Sequence, residues 1–193
     1  RWAERHELAS LLGRGSRYPE FFDEAEAGLR RLALIERARG LPDNAYGAWL
    51  TLFRPALSNT GVPFEARLAR LRRLSGDPGE EALHLYADAL DHALHRAPIG
   101  LERQPFAGLA PPEEWNPRSW DELDRCRHAL HSALVDLAKD ERPGAGARAR
   151  AIAASHARDL LSEGALDVLV AIFPPGVAAP GEIKTLTRSV ESF

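Results

Sequence analysis

The chain has 193 residues, of which 45% are hydrophobic and 27% charged, a balance that supports a buried core and argues against disorder. Its 28 acidic and 25 basic residues leave a formal charge of −3, too small to draw it onto nucleic acid or an anionic membrane through a global field. No stretch approaches the roughly 20 apolar residues of a membrane span, and the lone cysteine, Cys126, rules out an internal disulfide and a zinc knuckle.

The chain reads as helix-length amphipathic segments closed by Gly or Pro. Trp2 to Leu12 forms a first helix ended by Gly13 and Gly15, and Pro19 opens a second that runs to Arg39 before Gly40. Pro just inside the start and Gly just past the end is the asymmetry that helix termini favour. Phe22, Ala25, Leu29, Leu32 and Ala33 recur at three- and four-residue steps and define its buried face. Asp43 is an expected N-cap for a third helix, which carries Tyr46, Trp49, Leu50 and Phe53 and is closed by Pro55. A fourth helix runs from Pro63 to Leu74, with Phe64, Leu68 and Leu71 on its core side.

Gly76-Asp77-Pro78-Gly79-Glu80 is the sharpest local signal. Gly76 is expected to end one helix in the left-handed conformation, Asp77 to cap the next, Pro78 to take its first position and Glu80 to complete a capping box. The fifth helix contains Leu83, Tyr86, Ala87, Leu90 and Leu94 and stops before Pro98. From Ala97 to Arg118 four prolines and two glycines precede Pro117, too many breakers for a helix. A connection of that length is functional or marks a boundary. Ser119-Trp120-Asp121-Glu122 reads as a second capping box, opening a helix through Leu123, Leu130, Leu134 and Leu137 to Lys139. Ala147 to Ser162 is a seventh helix ended by Gly164, and Leu166 to Phe173 is a short helix or a buried strand. From Pro174 onward the pattern determines nothing.

Short turns between successive helices favour antiparallel neighbours, and repeated pairs favour a solenoid. The expected fold is all-α, with antiparallel hairpins stacked as a TPR/HEAT-like right-handed array or an irregular helical bundle. The expected divisions are N-terminal hairpins over 1–97, a Pro-rich connection over 98–118, C-terminal helices over 119–173 and a tail over 174–193, all within one continuous helical domain. His92-Ala93-Leu94-His95 recurs as His128-Ala129-Leu130-His131 at a spacing of 36 residues, near the period of helical-hairpin repeats, but the match ends with those four residues.

These histidine pairs are the foremost metal candidates, because residues three apart share a helix face. Neither His92 and His95 nor His128 and His131 has the Glu-x-x-His form of helical metal sites. Cys126 sits two residues before His128, about 200° around a helix, so the two do not face one ion. Gly13-Arg14-Gly15 lacks the preceding strand of a phosphate-binding loop, there is no Gly-x-Ser-x-Gly elbow, and Ser155 and His156 point about 100° apart on a helix. No catalytic residue, metal or cofactor is assigned. For partner binding, Arg54, Arg67, Arg70 and Arg73, with Arg72, form a basic stripe that could grip a carboxylate or phosphate. Trp115 and Trp120 flank the Pro-rich connection and are candidate aromatic anchors.

Trp49-Leu50-Thr51-Leu52-Phe53-Arg54-Pro55, followed by Ser58-Asn59-Thr60, Pro63-Phe64-Glu65-Ala66-Arg67-Leu68 and Leu71, resembles a stretch in the helical C-terminal regions of large bacterial STAND or NACHT-type multidomain proteins and related anti-phage sensors. In that family a helix ending in an aromatic and Pro precedes a Thr-containing turn and an Arg-bearing helix. Glu114-Trp115-Asn116-Pro117 is similar to a second landmark in which Arg usually follows Trp; Asn116 takes that place here. The resemblance covers about residues 44–135, includes no NTPase loop, and implies a sensor or scaffold region. Bias toward Ala, Leu and Arg, with only two lysines, looks like a GC-rich bacterial origin. The absence of Met and the Arg at position 1 lead us to expect a piece of a longer chain, and Arg1-Trp2-Ala3-Glu4-Arg5 has no signal-peptide core. The expected function is a non-enzymatic, cytoplasmic scaffold or partner-sensing module that binds protein, peptide or other domains of its parent chain. An all-α metal-dependent enzyme using the paired histidines, and a nucleic-acid binder using the Arg54 to Arg73 stripe, are the alternatives.

Overall fold

Every regular element is an α-helix in the computed structural model, which describes residues 2–36, 44–95, 108–110, 112–174, 176 and 180–191. In chain order these are α1 (Trp2–Gly15), α2 (Phe22–Ile35), α3 (Ala45–Thr51), α4 (Phe64–Ser75), α5 (Glu80–Leu94), α6 (Trp120–Ala138), α7 (Ala145–Ser155), α8 (Ala157–Ser162), α9 (Leu166–Ile172) and α10 (Pro180–Glu191). Among the described residues no helix is long and apolar enough to cross a membrane.

The chain divides into two compact units, Arg1–Cys126 and Arg127–Phe193. The division lies inside α6, not at the Pro-rich connection, of which residues 98–107 and 111 fall outside the described residues. In the first unit α2 packs on α1, α3 and α5, α3 also meets α1 and α5, and α4 packs on α5. The buried faces supply Phe22, Leu29, Trp49, Phe53, Phe64, Leu71, Leu83 and Leu90 to its core. The indole of Trp49 meets the Phe53 ring edge-on at 4.5 Å and donates through Nε1 to Glu26 Oε1 at 2.8 Å, satisfying the one polar atom that its burial strands. In the second unit α7 packs on α8, α9 and α10, and α8 on α9 and α10. Its buried face is largely small: Ala145, Ala149, Ala153 and Ala157 let these helices approach closely.

Several helix ends depart from the sequence expectations. α1 runs through Gly13 to Gly15; a Cβ on Gly13 would sit 3.9 Å from Ala48 Cβ, so small residues serve close packing on α3 there, not termination. Pro19 lies in the turn before α2, where the Tyr18 carbonyl accepts from Phe21 N at 3.0 Å. α2 ends at Ile35 instead of Arg39: Glu36 turns to an extended conformation, and its carboxylate accepts from Tyr46 N at 3.1 Å. Asp43 lies outside the described residues, and the N-cap of α3 is Asn44, whose Oδ1 accepts from Gly47 N at 2.7 Å.

Gly76 is right-handed, with φ −80°, and the capping box at Asp77 does not form. Asp77 Oδ1 instead accepts from Gly79 N at 2.9 Å, an Asx turn that delays the helix to Glu80. At α6 the Ser119 hydroxyl accepts from Glu122 N at 3.1 Å as expected, while Glu122 reaches back to Arg118 N instead of Ser119 N. The seventh helix is broken at His156 into α7 and α8, and Gly164, at φ +74°, follows α8 as a left-handed stop. Leu166 to Ile172 is helical, and the tail forms α10, anchored by Arg150 Nε to Glu182 Oε1 at 3.1 Å. Ser119→Ala removes the cap of α6 and is expected to lower unfolding free energy by about 1 kcal/mol, measured by urea denaturation; an unchanged midpoint would contradict the assignment.

Candidate functional site

α4 buries Phe64, Leu68, Leu71 and Leu74 on one face. Arg67 stands three residues after Phe64 and four before Leu71, so its side chain leaves the helix on that same face. It is 0% exposed. Its Nε donates to the Val62 carbonyl at 2.9 Å, and Nη1 donates to the Leu52 and Arg54 carbonyls at 2.5 and 2.7 Å. The Phe64 and Trp115 rings each lie 5.5 Å from the guanidinium carbon, within cation–π range. Burial pulls its pKa down to about 10, against the opposing pull of Cys126, Glu114 and Glu65, so the group stays charged at neutral pH. Nη2 makes no hydrogen bond.

The three carbonyls belong to the loop between α3 and α4. Leu57 and Asn59 in that loop are left-handed, at φ 55° and 59°; Asn adopts this conformation readily, whereas for Leu it carries a cost that surrounding contacts must offset. Residues 112–117 supply contacts from one side. Asn116 Oδ1 accepts from Leu57 N at 3.2 Å, Glu114 Oε1 accepts from Asn59 N at 2.7 Å, and Trp115 N donates to the Thr60 carbonyl at 2.9 Å. The turn before α2 holds the other side. Thr60 Oγ1 donates to the Ser16 carbonyl at 2.7 Å, and Gly61 N donates to the Arg17 carbonyl at 2.9 Å. With its amide oxygen turned toward buried Arg17, Asn59 accepts from Nε and Nη2 at 3.3 and 3.1 Å. A Cβ on Gly61 would lie 3.2 Å from the Glu113 carbonyl, a tight contact where three segments of chain meet.

The basic stripe is therefore not one surface. Arg67 and Arg54, the latter 4% exposed, are interior; Arg54 Nη2 donates to the His95 carbonyl at 3.3 Å, and burial lowers its pKa. Arg70 pairs with Asp23 and covers the Phe22 ring at 5.6 Å, tying α4 to α2. Arg72 and Arg73 are exposed, Arg73 on the side of α4 opposite Phe64. Trp115 is half-buried against Arg67, whereas Trp120 opens α6 at 78% exposure.

The histidine pairs lie in different units. His92 is half-buried on α5, and burial, Arg54 and His95 bring its pKa down to about 4 despite Asp91. Its Nε2 lies 3.5 Å from Thr51 Oγ1, but the Thr51 proton goes to the Gly47 carbonyl at 2.9 Å, so the imidazole does not activate that hydroxyl. His128 is exposed and stacks on buried His131 at 6.1 Å. Arg127 Nε lies 3.2 Å from Glu163 Oε1 and His131 Nε2 3.2 Å from Oε2, a polar cluster joining α6 to the end of α8. Cys126 is buried, and its thiol is pushed up to about 11, so it carries no thiolate at neutral pH.

Sequence reasoning missed Arg17 and Gly61, and it singled out Asn59 within the Ser58-Asn59-Thr60 stretch without its contacts, which arise from distant segments. It also missed Glu26, although Glu26 is four residues after Phe22 and three before Leu29, on the buried face of α2. Comparison with protein-family models, with curated proteins and with solved structures finds no match to this chain.

Arg67→Lys keeps the charge but loses the fork that reaches three carbonyls, and an expected loss of about 3–5 kcal/mol is read by denaturant unfolding; a loss under about 1 kcal/mol would contradict the structural role. For His92, the unfolded ring titrates near 6.5 and the folded one at about 4. Between those values the unfolded state binds the extra proton, so stability rises with pH across that window and is level above it. Thermal midpoints of wild type should fall from pH 6.5 to pH 4 more steeply than those of His92→Gln; parallel profiles would contradict the assignment.

Proposed function

We propose that the chain is a non-enzymatic helical scaffold or partner-sensing module, arranged as TPR/HEAT-like hairpins, of a STAND or NACHT-type multidomain protein. One observation carries this reading. Two of the stretches on which the resemblance rests, Ser58 to Thr60 and Glu114 to Asn116, are joined although more than fifty residues apart: Trp115 N donates to the Thr60 carbonyl, and the Glu114 and Asn116 side chains accept from the Asn59 and Leu57 amides. Their shared motif residues serve to fix inter-helix loops, as a scaffold requires. Three buried or half-buried polar groups are likewise engaged in structure: Arg67 with carbonyls, Glu26 with Trp49, and the Thr51 hydroxyl with Gly47.

A protein or peptide partner fits the surface better than nucleic acid. Two of the five arginines of the stripe, Arg54 and Arg67, are interior, which weakens the electrostatic footprint that phosphate binding needs. Trp120, by contrast, offers an exposed indole beside acidic Asp121 and Glu122, the type of residue that anchors protein interfaces. Immobilised chain should retain a stoichiometric protein partner from bacterial lysate, with or without phage infection, and Trp120→Ser should lose it. Retention of nucleic acid released steeply by salt, or one equivalent of tightly bound metal, would contradict the reading.

A further inference from the structure

Residues 112–117 lie on the first unit as a peptide ligand lies on its receptor. Pro112 and Pro117 bracket the segment, and proline holds its neighbours extended. Between them, Glu114 and Asn116 accept from the Asn59 and Leu57 amides and Trp115 N donates to the Thr60 carbonyl. Trp115 lays its indole over Arg67, and the Glu114 carboxylate supplies negative charge near the same guanidinium. That guanidinium is fully buried and keeps one nitrogen without a hydrogen bond.

From this geometry we propose that the Arg67 groove, formed by the 57–62 loop and the turn before α2, is a receptor site for an extended acidic-aromatic peptide, and that residues 112–117 occupy it as an intrachain strap. The partner segment has a carboxylate residue followed directly by an aromatic one. The carboxylate caps the left-handed amide of Asn59, and the ring covers Arg67. Binding in trans displaces the strap, so occupancy of the groove by a partner is coupled to release of the connection that precedes α6. The proposal rests on the scaffold reading above and deepens it.

The strap competes at an effective concentration on the order of millimolar, so wild type is expected to exclude a free peptide that a strap-weakened chain accepts. The probe is a labelled peptide of sequence PEEWNP, followed by fluorescence anisotropy against full-length wild type and Trp115→Ala. The expected result is at least about tenfold tighter binding to Trp115→Ala, lost when the tryptophan of the peptide is replaced by alanine. Equal affinities for both chains, or no dependence on the peptide tryptophan, would overturn the proposal. Amide exchange of wild type gives a reading independent of the folding of Trp115→Ala. Asn59 and Trp115 amides should exchange at least about tenfold faster than the amides of α5, by local opening; protection equal to that of α5 would mean that the strap never leaves and would overturn the proposal. A Trp120-dependent partner captured while the strap stays closed would sink this inference and leave the scaffold reading standing.

Discussion

A buried guanidinium organises the first unit. Arg67 leaves α4 on the apolar face, and the interior accepts its charge because three carbonyls of one loop turn toward it. Those carbonyls in turn fix the path of the loop, so the cation and the backbone determine each other. Arg suits this role where Lys does not, since its planar fork presents several donors in fixed directions and its face stacks on Phe64 and Trp115. No carboxylate forms an ion pair with it among the described residues, and carbonyl dipoles and ring faces do the work of a counterion.

From that centre the order spreads outward through the chain. The loop carries two left-handed residues, Leu57 and Asn59, and their amides are satisfied by a neighbouring segment. Residues 112–117 and the turn before α2 hydrogen-bond to this loop, so segments far apart in sequence converge on it. The second unit is held differently. Its core is alanine-rich and close-packed, and ion pairs form at Arg127–Glu163 and Arg150–Glu182.

How much of this was legible follows from whether the signal was local. Helix positions were legible because apolar residues recur at helical spacing, and Ser119 capped as its hydroxyl chemistry dictates. Gly13 and Gly76 misled, since glycine marks a close approach or a turn as readily as a helix end. Arg67 was legible in phase though not in role: on a helical wheel it falls within the Phe64–Leu71 stripe, whereas Arg73 is about 180° from Phe64. Reading the arginines as one surface ignored that phase. The contacts of Arg17, Asn59 and Gly61 were not legible, because each depends on a segment more than forty residues away in the chain. The pairing of the 57–61 loop with Glu114 to Asn116 likewise has no local signature.

The central claim is that Arg67 and the segment carrying Trp115 act as one unit, and a double-mutant cycle tests it most directly. Unfolding free energies of wild type, Arg67→Gln, Trp115→Leu and the double variant give the coupling between the two sites. The account predicts a coupling of at least about 1 kcal/mol, the range for a desolvated cation on an aromatic face within a shared network. Additive losses would contradict it, and would leave the guanidinium as a brace for its own loop alone.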